Sequence, residues 1–304
     1  MAQRIVVTGG CGKVGLAVVS HLLDRGHSVL NVDIAHPPGH ENQRCHTLKV
    51  DLTNGGQVFG ALTSHFAPSE PLPQGPPSPP DVVLHLAGYA RNLIVTDDEC
   101  FKTNVSSTYN LLEAACKLGV RKILVASSIC VYGVTYAEGD RDFPHFPVDE
   151  TTELRPTDAY SLSKLCIENI AKAFAERFGV DIYVLRIGAV VAADDYVPAF
   201  SSYVSEPSRW KVHGWSYTDI RDLSRMFELA VEKDGLGLQV FNAVNNSNTA
   251  GVPTEELLKR EAPDTPITRP LQGYEAPITN EKIKSFLGFV ESHDWRKYFP
   301  VSNR

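Results

Sequence analysis

Short apolar runs rich in β-branched residues recur along the first two-thirds of the chain, at residues 5–7, 28–32, 48–50, 82–84, 123–125 and 182–185. Between most of them lie stretches with apolar residues at helical spacing, over 14–25, 97–118 and 157–178. The runs are too short for helices and apolar at consecutive positions, as in strands covered on both faces. Strands alternating with helices predict βαβ crossovers and an α/β fold, a Rossmann-type doubly wound parallel sheet. After Arg186 the pattern loosens into glycines, prolines, aromatics and short helices at 222–232, 254–260 and 280–287. The chain is therefore expected to divide into a sheet domain over 1–185 and a small irregular lobe over 186–304, with some segments returning to the sheet.

Residues 68–80 interrupt this order, holding seven of the 20 prolines. Proline fixes φ and lacks an N–H, so the stretch reads as an expanded, PPII-like surface loop. The 304 residues are 43% hydrophobic and 21% charged, which excludes collagen-like, coiled-coil and wholly disordered chains. Net charge is −7 with no long Lys or Arg run, so no nucleic-acid partner is expected. No apolar stretch has the length of a signal peptide or membrane span, and the six cysteines form no CxxC pair. The expectation is a cytoplasmic protein with reduced thiols and no membrane partner.

Thr8-Gly9-Gly10-Cys11-Gly12-Lys13-Val14-Gly15 joins the first predicted strand to the first predicted helix. Gly9, Gly12 and Gly15 allow a tight turn, close backbone approach to a pyrophosphate and close helix–strand packing. The phosphates of a dinucleotide would then sit on the free N–H groups of the helix N-terminus. Asp33 ends the next strand 18 residues after Gly15, where a carboxylate accepts both ribose hydroxyls of NAD and repels the 2′-phosphate of NADP. NAD is therefore preferred over NADP.

Tyr160-Ser161-Leu162-Ser163-Lys164 places Tyr160 and Lys164 one turn apart on a single helix face. A nearby ammonium is expected to lower the phenol pKa, so that Tyr160 exchanges a proton with a substrate oxygen. The glycine loop, the strand-end acid, the YxxxK helix and an upstream Ser together resemble the extended short-chain dehydrogenase/reductases, and within them the NAD-dependent epimerase/dehydratase family. The resemblance runs from Ile5 to about Trp295. It implies that Asp51 and Leu52 contact adenine and that Leu86-Ala87-Gly88 passes beneath the cofactor. Asn104 resembles the family's helix Asn, and Ile187 belongs to the cofactor set with Lys13 and Val14. Ser127-Ser128-Ile129-Cys130-Val131-Tyr132-Gly133 resembles the family's SSSxxVYG segment, making Ser128, Tyr160 and Lys164 the catalytic triad. Lys164 also holds the nicotinamide ribose in this family. A homodimer through the helices at 97–118 and 157–178 is likewise implied.

Three departures narrow the expectation. Ile129 and Cys130 stand where the dehydratase branch carries an acidic pair, which removes that branch. Ala189 replaces the Asn, and Trp215 the Arg, that hold a nucleotide-sugar diphosphate; losing them weakens diphosphate binding. The expected activity is hydride transfer between NAD and a secondary alcohol or ketone of a sugar-like or secondary-metabolite substrate. Tyr89, Ser128 and Trp215 are the candidate substrate contacts, and one or two of Tyr89, Tyr196, Trp210, Trp215 and Tyr217 are expected near substrate. The alternative is an epimerase with tightly bound NAD; a third reading, a silent dinucleotide sensor, is opposed by the retained Tyr and Lys. No metal site is expected, since prolines between His36 and His40 forbid the helix that would aim both at one ion. Glu168, Glu176, Lys172 and Arg177 read as a solvated helix face.

Overall fold

The alternation of side chains along each strand decides what the sheet buries. In the first strand, β1 (Arg4–Thr8), Val6 faces one core while Ile5 and Val7 face another, and all three are fully buried. The same alternation runs through β2 (Ser28–Asp33), β4 (Val82–His85), β5 (Lys122–Ser128) and β6 (Asp181–Ile187). The computed structural model describes residues 2–36, 44–71 and 78–299. With β3 (His46–Lys49) and β9 (Leu238–Ala243) these strands form one parallel sheet in the order β3-β2-β1-β4-β5-β6-β9.

Helices cover both faces, as the continuous apolar runs require. One core receives α2 (Gly55–Leu62), α3 (Asp97–Lys117) and α4 (Ala159–Phe178). The other receives α1 (Lys13–Asp24), α6 (Ile220–Glu232) and α8 (Glu281–Leu287). Gly179 ends α4 at φ 63°, a left-handed cap that costs glycine nothing.

The position expected to divide the chain, after residue 185, lies inside β6, and α6 and β9 return to the main sheet and its cover. The remaining C-terminal segments build a small layer. Here β7 (Ala189–Val191) pairs in parallel with β8 (Tyr217–Asp219) and shares a cluster with α5 (Tyr196–Ser205), while α7 (Thr254–Glu261) belongs to a separate cluster with Trp215. Phe200 stacks on Trp295 at 4.5 Å in the aromatic cluster that holds this layer.

Five elements escape the apolar pattern: α2, α5, β7, β8 and β9. The two strands of the small sheet have three residues each, too few to show a period. Helix α2 opens on Gly55-Gly56 and owes its start to Asn54, whose side chain accepts from Gln57 N at 3.2 Å. Residues 37–40 of the His36–His40 stretch and 72–77 of the proline-rich segment lie outside the described residues. Among the described residues no helix is long and apolar enough to cross a membrane.

Candidate active site

The carboxyl ends of β1, β4 and β5 meet at one edge of the sheet, where the glycine loop follows β1. Gly9 has φ 75°, and a Cβ there would lie 2.5 Å from Ala87 N. A Cβ on Gly15 would lie 2.1 Å from Gly9 O, so α1 packs onto the loop only because both residues are glycine. Gly12 is exposed and caps α1 without a side-chain bond, leaving the first-turn amides around Lys13 and Val14 free of side-chain caps. That exposed, uncapped helix end fits a pyrophosphate.

Asp33 sits beside this loop, its Oδ2 accepting from Cys11 N at 2.9 Å and its Oδ1 from Ala35 N at 3.1 Å. Its carboxylate thus shapes the loop and retains lone pairs for a ribose. The Cys11 thiol donates to Ala35 O and accepts from Asn31, and burial raises its pKa. Asp51 is exposed and turns onto Thr53, whose hydroxyl lowers the carboxyl pKa, while Leu52 is buried and its carbonyl accepts from Asn110.

Leu86, Ala87 and Gly88 leave the end of β4 half-buried to exposed. Asn104 props this segment rather than facing open space, being 1% exposed. It accepts from Tyr89 N at 2.8 Å and donates to Tyr89 O and to Ser163 Oγ. Gly88 has φ 138°, and a Cβ there would fall 2.7 Å from the Asn104 oxygen. His85, which sequence reasoning missed, bridges Thr8 at 2.8 Å and Thr108 at 2.9 Å, locking β1 and β4 to α3. Burial first, then the Lys164 charge, push its pKa down to about 3, so this bridge is neutral.

Ser128, Tyr160 and Lys164 come together as expected. Ser128 ends β5, and its Oγ accepts from Cys130 N, capping the turn Ile129–Tyr132. Tyr160 and Lys164 follow on the first turns of α4, begun by Asp158, which accepts from Ser161 N. The Lys164 ammonium lies 5.8 Å from the centre of the Tyr160 ring and donates to Ala126 O at 2.9 Å. Burial pushes Lys164 down to about 8, while the nearby thiols and Glu168 push it back up.

The expected lowering of the phenol is corrected by the structure. Tyr160 is 5% exposed, and burial drives its pKa well above 10; the Cys130 thiol adds to this and the Ser128 hydroxyl opposes it. Its neighbours are Cys100, Cys130, Tyr89, Val95 and Tyr136, whose ring meets it edge-on at 6.1 Å. Tyr89 therefore does border the tyrosine, and Ile187 lies half-buried opposite Ser128 on β6.

Two other expectations change. Trp215 is fully buried among Phe146, Val244 and Ile278, and its indole donates to Pro207 O at 2.8 Å, so it is a core residue here. Tyr196 and Tyr217 likewise pack in the aromatic core. Glu168 is not on a solvated face: it is 8% exposed and bonded to Arg186, whereas Lys172, Glu176 and Arg177 are exposed. Among the described residues no group of three or more His, Cys, Asp or Glu side chains is arranged to hold a metal ion.

The model of the NAD dependent epimerase/dehydratase family matches residues 5–242, more than half of the chain. The chain belongs to that family. Its relatives differ in reaction. A dTDP-L-rhamnose 4-epimerase of Burkholderia thailandensis is 28% identical over 61% of this chain and 57% of its own length. A uronate dehydrogenase of Pseudomonas syringae is 27% identical over 81% of this chain and 76% of its own. The matches to the first two curated relatives span only 57% and 58% of those proteins. The fold is shared with a short-chain dehydrogenase/reductase of Agrobacterium tumefaciens solved with bound NAD, at TM-score 0.68 and 22% identity over 97% of this chain and 94% of that one. It is shared also with a UDP-glucose 4-epimerase of Thermotoga maritima, at TM-score 0.66 and 24% identity over 94% of this chain and 93% of the other. The curated relatives named here are thus an epimerase and a dehydrogenase.

Proposed function

We propose that the chain is an NAD-dependent oxidoreductase acting on a secondary alcohol or ketone, in a sugar-like or secondary-metabolite substrate. The observation that carries this reading is the buried meeting of Tyr160 with Ser128 and Lys164 at the strand ends that also carry the glycine loop. The dinucleotide would lie along Gly9, Gly12, Lys13, Val14 and Gly15, its ribose on Asp33 and its adenine by Asp51 and Leu52. Leu86, Ala87, Gly88, Asn104 and Ile187 would frame the nicotinamide end. NAD, when bound, supplies the hydride acceptor or donor.

The chain's own groups handle the proton. The Ser128 hydroxyl donates to the substrate oxygen and fixes it before Tyr160. Tyr160 takes or returns the hydroxyl proton, and the Lys164 ammonium stabilises the phenolate during that transfer. The thiols and rings around Tyr160 exclude water from it.

Epimerisation is the second reading, supported by the dTDP-L-rhamnose and UDP-glucose 4-epimerases among the curated relatives. Dinucleotide retention separates them. Purified protein is dialysed extensively and denatured, and the released NAD is quantified. An empty site that then forms NADH from free aldoses, uronates or secondary alcohols supports the dehydrogenase. Near-stoichiometric retained NAD overturns it in favour of the epimerase.

A further inference from the structure

Beneath Tyr160 and Lys164, one further turn along α4, lies a closed ion pair that neither role accounts for. Glu168 and Arg186 have side chains 7% and 4% exposed. Arg186 grips the carboxylate with both arms of its fork, Nε to Oε1 at 3.0 Å and Nη2 to Oε2 at 2.8 Å. Ser127, the residue before Ser128, donates its hydroxyl to Glu168 Oε1 at 2.6 Å. The third arm of Arg186 donates to Tyr132 Oη at 3.0 Å and to Glu150 O at 3.3 Å. Tyr132 closes the turn that Ser128 caps.

The pair thus ties together every element that carries a triad residue. Arg186 on β6 stands opposite Ser127 on β5, and Ile187 opposite Ser128. Tyr160, Lys164 and Glu168 follow one another at intervals of four on α4. Such a pair is weak evidence for stability, because desolvating two charges offsets most of their attraction and packed apolar residues do as well. Its partners suit a positioning role instead, since three donors on one carboxylate leave it a single position.

We propose that Glu168, clamped by Arg186 and Ser127, is a positioning residue of the site, pinning the Tyr160–Lys164 face of α4 against the end of β5 and placing a buried negative charge behind Lys164. The inference rests on the proposed roles of Tyr160 and Lys164. The other titratable groups around the ammonium are His85 on β4, which is neutral, the Cys100 thiol on α3, the Cys130 thiol after β5 and Tyr160 itself. Glu168 is the carboxylate among the groups that favour its charged form.

The test reads Lys164 without needing a substrate. NADH binding is followed by its fluorescence between about pH 6 and pH 10, bracketing the Lys164 value of about 8. Glu168→Gln is expected to lower the midpoint of that profile and to lower the melting temperature. The neutral double variant Glu168→Met with Arg186→Met is expected to recover the melting temperature while keeping the lowered midpoint. A wild-type midpoint in both variants, or in the double variant alone, reduces the pair to packing and overturns the proposal. Tyr160→Phe is run alongside: wild-type NADH formation by that variant would overturn the reading of the site instead, and would leave the midpoint shift of Glu168→Gln untouched.

Discussion

Lys13, in the glycine loop, is ion-paired with Asp195, 182 residues further along the chain. Both side chains are about half exposed, and Asp195 also accepts from Ala192 N at 3.2 Å. The pair joins the proposed phosphate-binding loop to the first residues of the small layer, and it neutralises the cation nearest that loop.

Asp195→Asn is therefore expected to free Lys13 toward the phosphates of the dinucleotide. NADH affinity should rise about two- to fivefold at low salt, the range of an exposed ion pair, and the gain should vanish near 0.5 M salt, at roughly a 4 Å Debye length. Fluorescence titration at the two salt concentrations checks this. Unchanged affinity at low salt means that Lys13 does not face phosphate.

Asp33 carries the choice of dinucleotide. Asp33→Ser combined with Ile34→Arg removes the carboxylate and offers a cation to a 2′-phosphate, shifting the NADH-to-NADPH binding ratio toward NADPH. The change also releases Cys11 N, which Asp33 holds at 2.9 Å, so stability should fall by about 1 kcal/mol. A wild-type protein that already prefers NADPH contradicts the assignment.

Tyr160→Phe should cut turnover about a hundred- to ten-thousand-fold, the usual contribution of a positioned acid/base, with NADH affinity changed less than about twofold. Steady-state rates and a binding titration on the same preparation test both halves of the statement.

Lys164 is expected to oppose folding. Its value of about 8 lies below the ordinary 10.5, so the unfolded chain holds this proton more tightly. The penalty is complete below about pH 8 and is relieved as pH rises from there toward 10.5. Lys164→Met should consequently stabilise dialysed protein at pH 7 by on the order of 2 kcal/mol after the bond to Ala126 O is lost, raising its melting temperature while abolishing turnover. A lower melting temperature would show that the buried ammonium is well compensated.

Tyr109 on α3 and Leu162 on α4 are 45% and 42% exposed, and these are the two helices proposed to form a dimer. Light scattering should give about twice 33.4 kDa, and Leu162→Glu should halve it. A wild-type mass near 33.4 kDa refutes the dimer.

The order of residues was enough to specify the first six strands of the main sheet and the loop, though not β9, because both depend on short-range rules. Period-two burial made Ile5, Val6 and Val7 a strand covered on both faces, and glycines at 9, 12 and 15 permit a backbone that other residues would obstruct. Spacing of four put Tyr160 and Lys164 on one face. What spacing does not contain is the environment of a charge. Glu168 and Glu176 are the same residue type on the same helix, yet one is buried and the other lies in water. Ser127 and Arg186 made the difference, and they arrive from β5 and β6, 41 and 18 residues away. Trp215 changed from expected substrate contact to core residue for the same reason. Burial and electrostatics are sums over neighbours that only the folded chain brings together. Which carboxylate stands behind Lys164, and which way the Tyr160 pKa moves, were therefore set by the tertiary fold.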